Sequence, residues 1–481
     1  MLARWFETIA RAQMIAALAV FLMACLAPNL RAQETSAAAR REWRDEIVYV
    51  VIVHKFYNGD AANDVMPRRY GKDKARYEGG YWGGDLAGII QKLDYIESLG
   101  VTAILLYPIM ANDSEPFGKY LATGYRPKDY FKVDENFGDL QTFKDLVARA
   151  HRRHLRVILD LPLGIPGTEH PFYHDPSKRA WFGKATPYGV PQWDAENPEV
   201  AEYLTRIAKF WRDEAGCDGL RLDSAHMHSS QFWAAWSKEI KDAKHRDFIL
   251  LAEVALQPSK IGEFITATGF DSAYDFSATT ANDVFGKGGA VGALSFVLHE
   301  GRKYYPSPQR MCAQLDSYED PAFADIAQAP KEARMRTGVA FQMTVDRVPL
   351  VYTGDEAGAS YREAGALFAP PLQSSPFLPY MKSLIKLRRK EAALRRGEFA
   401  EDSARDSIYA FTRVLGNRRI LVVLNNSAER CQASFPIGGA AWADCALDDL
   451  LSEKPAKVAG VSTPLEMESF GARILSVGAR N

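Results

Sequence analysis

Two rhythms of apolar and polar positions alternate along residues 46–355, and each dictates a kind of element. Glu46 to Val53 is a short, nearly continuous apolar run, the pattern of a strand buried on both faces. Asp85 to Gly100 instead places apolar residues at Leu86, Ile89, Ile90, Leu93, Ile96 and Leu99, the stripe of an amphipathic helix. Further strands are predicted at Thr102–Pro108, Arg156–Asp160, Gly219–Asp223, Phe248–Glu253, Ser272–Ser277, Met311–Asp316 and Pro349–Asp355. Helices are predicted at Asp139–His154, Glu196–Gly216, Lys331–Val345 and Pro376–Lys390. Strands that mostly precede a helix predict an α/β fold, a parallel (β/α)8 TIM barrel. An open doubly wound sheet would want a glycine-rich phosphate loop after an early strand, and none of the right form is present. Leu161 to Asn197, rich in Pro, Gly, His and aromatics, reads as a short insertion after the third strand. Past residue 397 the rhythm changes to short strands, Ser407–Arg413, Arg419–Asn425 and Ala472–Val477, separated by turn residues. The expected organisation is a barrel over 40–397, with its insertion at 161–197, and an all-β sandwich over 398–481.

Residues 1–32 read as a signal peptide. Arg4 and Arg11 precede an unbroken apolar run of 14 residues, Met14 to Ala27, and Ala32 supplies a small residue for cleavage. The run is short for a membrane span, which implies a secreted or periplasmic chain with no span after processing. Leu22-Met23-Ala24-Cys25 also resembles a lipoprotein cleavage box, with a lipid anchor on Cys25 as its consequence. Composition adds exclusions. The 481 residues are 47% hydrophobic and 25% charged, which excludes a disordered chain. Lys+Arg 59 against Asp+Glu 60, with no long basic run, excludes nucleic acid as a natural partner. After Cys25 the cysteines are Cys217, Cys312, Cys431 and Cys445. A Cys431–Cys445 disulfide and buried free thiols are both open.

Candidate chemistry gathers at the C-terminal ends of the predicted strands, where a barrel builds its site. Those ends carry Asp160, Asp223, Glu253, Asp316 with Glu319, and Asp355 with Glu356. Acids without a histidine-rich metal set suit acid/base work on a neutral polar substrate, and glycoside hydrolysis needs two carboxyls. Strand-end acids also cap helices or pair with arginines. His170 and His174 form a conceivable zinc pair, but the intervening Pro171 argues against helical presentation. Trp181 and Trp193 suit a glucan cleft or a core equally.

Several of these segments resemble the alpha-amylase family of glycoside hydrolases, with its cyclodextrin glucanotransferase and neopullulanase-like members. Gly219-Leu-Arg-Leu-Asp-Ser-Ala225 is similar to the fourth-strand motif and Leu250-Leu-Ala-Glu-Val254 to the fifth-strand motif. Leu315-Asp-Ser-Tyr-Glu-Asp-Pro-Ala-Phe323 resembles the seventh-strand motif, and Val348-Pro-Leu-Val-Tyr-Thr-Gly-Asp-Glu-Ala-Gly358 the eighth. Gly124-Tyr125 with Asp129-Tyr130 resembles the sugar-stacking segment after the second strand. The resemblance implies an exported, retaining α-glucan hydrolase or transglycosylase. It makes Asp223 the nucleophile, Glu253 the acid/base and Glu319 the third carboxylate, with Tyr125, Arg221, His226 and Tyr318 touching substrate. Arg221 is expected to keep Asp223 ionised, and Glu253 to have a raised pKa, with the two carboxyls about 5–5.5 Å apart.

Departures from the family are concentrated around the reacting sugar. Where the family has histidines, this chain has Thr123, Ile165 and Tyr318; its usual Asn is Gly164, its usual Lys-His is His226-Met227, and its usual seventh-strand Asp is Glu319. The alternative to an active enzyme is therefore a weak or inactive amylase-like glucan-binding protein. A separate turn-rich cluster, Asn58, Asp60, Asn63, Asp64, Gly83 and Asp85, offers the oxygen ligands that Ca2+ takes and resembles the N-terminal calcium site of cyclodextrin glucanotransferases. The cluster reads equally as turns with side-chain caps.

Overall fold

The computed structural model describes residues 41–65, 83–114, 124–183, 185–186, 189, 191–317, 322–360, 367–433, 446–451 and 465–478. The barrel strands among them are β1 (Val48–Val51), β2 (Ala103–Leu106), β5 (Arg156–Leu161), β6 (Gly219–Leu222), β7 (Ile249–Ala252), β8 (Ser272–Ala273), β9 (Cys312–Gln314) and β10 (Val348–Tyr352). A hairpin, β3 (Met110–Asn112) with β4 (Pro127–Val133), stands between β2 and β5. The eight barrel strands pair in parallel in the order β8-β7-β6-β5-β2-β1-β10-β9. A parallel bridge between Tyr274 and Cys312, with Asp275 N–H donating to the Cys312 carbonyl at 2.8 Å, joins the two ends and closes the barrel. The sequence expectation of eight strands holds. The β3–β4 hairpin was not foreseen, because its two strands are separated by a long turn-rich stretch.

Pleating explains why the strands read as continuous apolar runs. Val48, Val50, Leu105, Ile158 and Leu350 fill the barrel interior, while Tyr49, Val51, Ile104 and Leu159 join the shell core beneath the helices. Each such side chain contributes about 1.5–3 kcal/mol when fully buried. The helices begin and end where their caps predict. Asp139 accepts from Thr142 N–H to start Leu140–Arg152, Asn197 precedes Pro198 at the start of Pro198–Lys209, and left-handed Gly100 and Gly269 stop Leu93–Leu99 and Pro258–Thr268.

The insertion holds short 3-10 turns and an aromatic cluster. Trp193 is 1% exposed, its ring stacked on Phe182 at 4.9 Å, and Trp181 donates to Glu199 at 2.8 Å. His170 meets the Tyr203 hydroxyl at 3.1 Å, and His174 meets the Thr168 carbonyl at 2.6 Å. These tryptophans pack a core, and the two histidines have separate partners; among the described residues no group of acids, histidines and cysteines is arranged to hold a metal.

The C-terminal region is the expected sandwich. Strands β11 (Glu398–Arg405), β12 (Ile408–Leu415), β13 (Arg418–Asn425), β17 (Ala472–Gly478) and β15 (Ala446–Asp449) form an antiparallel sheet in that order. β14 (Cys431–Ala433) and β16 (Leu465–Met467) pair separately, and Ala433, Leu465 and Met467 share one core with Leu421, Val423 and Leu475 of the larger sheet. Cys217, Cys312 and Cys431 are free thiols, while Cys445 lies outside the described residues, as do residues 1–40 with Cys25. Among the described residues no helix is long and apolar enough to cross a membrane.

Arg413 joins sandwich to barrel. Its fully buried guanidinium donates to the carbonyls of Thr344 at 2.7 Å, Leu394 at 2.8 Å and Gly397 at 3.0 Å. Arg388 beside it donates to Met343 and Arg347 carbonyls. Burial, together with each other's charge for Arg388, pulls Arg388 down to about 9 and burial pulls Arg413 down to about 10. Arg413→Ala would leave three buried carbonyls without their donor. It is expected to destabilise the fold by about 3 kcal/mol or more, read as a lower denaturant midpoint.

Candidate active site

Asp160 and Arg221 are register partners on β5 and β6, and Arg221 stands opposite Leu251 on β7. Asp223 follows Arg221 by two residues and Glu253 follows Leu251 by two, so strand pleating turns all four functional side chains to the same side. They converge on one guanidinium, 5% exposed. Arg221 Nη1 donates to Asp160 at 2.7 and 2.8 Å and to Asp223 Oδ1 at 2.8 Å, while Nη2 lies 2.8 Å from Glu253 Oε1. The Asp223 and Glu253 carboxyls are thus brought side by side on one guanidinium.

Behind this cluster stand tyrosines. Tyr125 donates its hydroxyl to Asp160 Oδ2 at 2.7 Å, and its ring meets Tyr107 edge-on at 5.8 Å. Arg221 lies over the Tyr274 ring at 5.2 Å, and the Tyr352 ring meets Tyr107 edge-on at 6.3 Å. Sequence reasoning singled out Tyr125 but left out Tyr107, Tyr274 and Tyr352. Their inward strand positions are the only sequence signal for them.

Three carboxyls around one cation crowd negative charge in a largely buried site, which favours retention of a proton. Burial lifts Asp160 to about 6 in spite of Arg221. Burial, then the charge of Glu253, raises Asp223 well above the usual carboxylate range. Burial also acts to raise Glu253, but Arg221 and the Ser224 N–H, which donates to Oε2 at 3.0 Å, outweigh it and hold its carboxyl below the usual range. The directions are thus the reverse of those expected: Asp223 is raised and Glu253 lowered, which favours Asp223 as the member that keeps a proton. The cause is the second guanidinium nitrogen, which reaches Glu253. Ser224, which supplies the N–H, sits at φ 46, a strained left-handed position that the site imposes on a non-glycine residue.

His226 is exposed in the 3-10 turn Ala225–Met227 that follows Asp223. Tyr318, Glu319 and Thr123 lie outside the described residues. Two of the family departures prove to be physically linked: Met227 Sδ lies 2.9 Å from where a Cβ on Gly164 would stand, so Met227 fills the room that a side chain at 164 would need. The other strand-end acids form a separate buried group. Asp316 accepts from Phe323 N–H and Asp355 from Tyr352 N–H, and burial followed by the charge of Asp316 raises Asp355 well above the usual range. Glu356 accepts from Tyr49 at 2.6 Å, Tyr95 at 3.0 Å and Gly354 N–H at 2.9 Å.

In the N-terminal cluster Asp85 caps the helix Leu86–Gln91. Its oxygens accept from Gly59, Asp60 and Gly88 N–H and from Asn63 Nδ2. Asn58 Nδ2 donates to Asp64 Oδ2 at 2.9 Å, and both side chains pack against left-handed Gly83. Asp60 accepts from Ala62 N–H. Among the described residues Asn63 Oδ1 and Asp64 Oδ1 are buried without a hydrogen-bond partner.

The comparisons agree with this architecture. A family model described as "Alpha amylase, catalytic domain" matches residues 50–189 and 174–391, and one described as "Maltogenic Amylase, C-terminal domain" matches 398–474. The chain is 31% identical over 444 residues to neopullulanase 2 of Thermoactinomyces vulgaris, covering 84% of this chain and 74% of that one. It is 29% identical over 423 residues to a cyclomaltodextrinase of Thermoanaerobacter pseudethanolicus, covering 81% and 71%. The crystal structure of an Anoxybacillus alpha-amylase superposes with a TM-score of 0.81 at 29% identity, covering 92% of this chain and 100% of that one. Fold, paired strand-end carboxyls, matched domains and relatives all coincide, and the chain belongs to the alpha-amylase family of glycoside hydrolases.

Proposed function

We propose that the chain is an exported α-glucan-active hydrolase or transglycosylase that works with retention of configuration through Asp223 and Glu253. The supporting observation is Arg221, within 2.8 Å of both carboxyls. One proton held between two such carboxyls is the stoichiometry that a nucleophile and an acid together require. A sugar ring entering between them parts the pair. Asp223 keeps Arg221 and ionises, and the proton passes to Glu253. Asp223 then attacks the anomeric carbon as Glu253 protonates the departing glycosidic oxygen, and that C–O bond breaks. Water or a sugar hydroxyl next gives its proton to Glu253 and attacks the glycosyl–Asp223 ester, which releases the carboxylate. Tyr125 offers its ring face to the sugar. The names of two relatives, neopullulanase and cyclomaltodextrinase, support pullulan and cyclic maltodextrins as the first substrates to try.

Calcium fits the N-terminal loop. The buried, unpartnered Asn63 Oδ1 and Asp64 Oδ1 are the kind of oxygen a hard cation takes. Asn58, Asp60 and the Gly83 carbonyl would complete the set, with Asp85 ordering the loop that carries them. The ion would supply structural cross-linking there and no chemistry at Asp223.

Asp223→Asn and Glu253→Gln are each expected to lower turnover of maltooligosaccharides by about a thousandfold or more. A residual rate within about tenfold of the parent would contradict the pair's role. On starch, with Ile165 and Met227 in place of hydrogen-bonding groups, turnover should fall about a hundredfold or more below that of a starch-degrading relative assayed alongside. Removal of calcium by a chelator should lower the melting temperature, and added calcium should restore it; an unchanged melting curve would count against the site.

A further inference from the structure

We propose that Gln192, in the insertion after β5, is a positioning residue for the catalytic pair: its amide latches the turn whose Ser224 N–H is aimed at Glu253. The inference rests on the reading of Asp223 and Glu253 as the reacting carboxyls.

The turn needs a latch because it starts strained. Ser224 is left-handed, at φ 46 and ψ 43, and a residue with a Cβ keeps that conformation only where its surroundings over-determine it. At the front, Ser224 N–H donates to Glu253 Oε2 at 3.0 Å and Ala225 N–H to the Glu253 carbonyl at 2.9 Å. In the middle, Met227 N–H donates to the Ser224 carbonyl at 2.9 Å, and Trp233 Nε1 to the Ala225 carbonyl at 2.6 Å. At the back stands the Met227 carbonyl, at the end of the 3-10 turn, where a helical carbonyl has no partner within its own helix. Gln192 Nε2 donates to it at 2.8 Å. The next residue, His228, anchors the exit of the turn on the Leu163 carbonyl at 3.0 Å.

A well-braced arm presents Gln192. Its own carbonyl accepts from Gly183 N–H at 2.9 Å, and Trp193 beside it forms an antiparallel bridge with Phe182. Trp193 N–H donates to the Gly164 carbonyl at 3.2 Å, and Gly164 is also the residue whose missing side chain makes room for Met227 Sδ. Arm and turn are therefore registered on the same glycine, and Met227 is gripped at its sulfur and at its carbonyl. The aromatic core of the insertion, in which Trp193 meets Phe182 at 4.9 Å and Tyr203 at 5.5 Å, closes without the Gln192 amide. The line Gln192, Met227, Ser224, Glu253 thus runs from the insertion to the catalytic pair. Without the amide, the turn is freed to relax Ser224 toward ordinary backbone, and its N–H leaves Glu253. That N–H and Arg221 hold the Glu253 carboxyl below the usual range, so losing the N–H raises it. Among the described residues the other charged and titratable groups around Glu253 are Asp160 of β5, Asp223 after β6, Tyr274 after β8 and His226 of the turn, and Gln192 hydrogen-bonds to none of them.

The test compares kcat/KM on a cyclic maltodextrin across pH for the parent, Gln192→Met, Gln192→Asn and Gln192→Lys, at high salt so that the charge of the lysine is screened. Gln192→Met keeps the length and loses the N–H. Gln192→Asn keeps the amide but stops one methylene short of the carbonyl, and carries the same comparison if Gln192→Met does not fold. Each should move the acidic limb up by about one pH unit and lower kcat/KM at the optimum about tenfold or more. Hydrogen exchange at the Ser224 and Ala225 amides should accelerate with it. Gln192→Lys, which donates again, should restore both the limb and the exchange. A lower rate with the acidic limb in place would mean that Gln192 only packs the insertion, and overturns the inference; so does a shifted limb that Gln192→Lys leaves shifted. Asp223→Asn, assayed alongside, keeps the two readings apart. Turnover retained by Asp223→Asn sinks the catalytic pair, whereas unchanged amide exchange in Gln192→Met and Gln192→Asn sinks the latch and leaves the pair standing.

Discussion

A single guanidinium surrounded by three carboxyls is the constraint on which the active site depends. Arg221 bonds Asp160, Asp223 and Glu253 at once, all of them at the C-terminal end of the barrel. One positive charge does not balance three negative ones there, so the cluster favours keeping a proton. Which carboxyl is favoured follows from what else each one touches. Glu253 has a backbone N–H in addition to the arginine, which lowers it, and Asp223 has the charge of Glu253 beside it, which raises it. Asp223 is therefore the favoured site of the proton.

The rest of the barrel serves this arrangement. Parallel register makes Asp160 face Arg221 across β5 and β6, and pleating brings Asp223 and Glu253 to the same side two residues later. Closure through Tyr274 and Cys312 brings Tyr274 under the guanidinium. Tyr125 ties its side of the pocket to Asp160.

Much of this was legible in the sequence, and the reasons differ by residue. The buried parallel strands showed as apolar runs, and Arg221 with Asp223 showed as a pair because a spacing of two on a strand means a shared face. The family resemblance carried Glu253. The state of protonation did not show, because it depends on the second nitrogen of Arg221 reaching a neighbouring strand, and spacing along one strand says nothing of that. Asp85 looked like one ligand among six, yet its oxygens are taken by backbone and amide donors, a contact that only the folded loop creates. Trp181 and Trp193 had the composition of a cleft and became a core, since burial is decided by what packs against a side chain. Gly164 and Met227 read as two separate departures and are one steric exchange.

The claim that Asp223 carries the shared proton can be tested on the carboxyl groups themselves. Infrared difference spectra at neutral pH, parent minus Asp223→Asn, should show the carbonyl stretch of one protonated carboxyl in the parent that the variant lacks. Loss of an ionised carboxylate band instead, with the protonated band unchanged, would mean that Asp223 is already an anion and that Arg221 does not divide the charge as described.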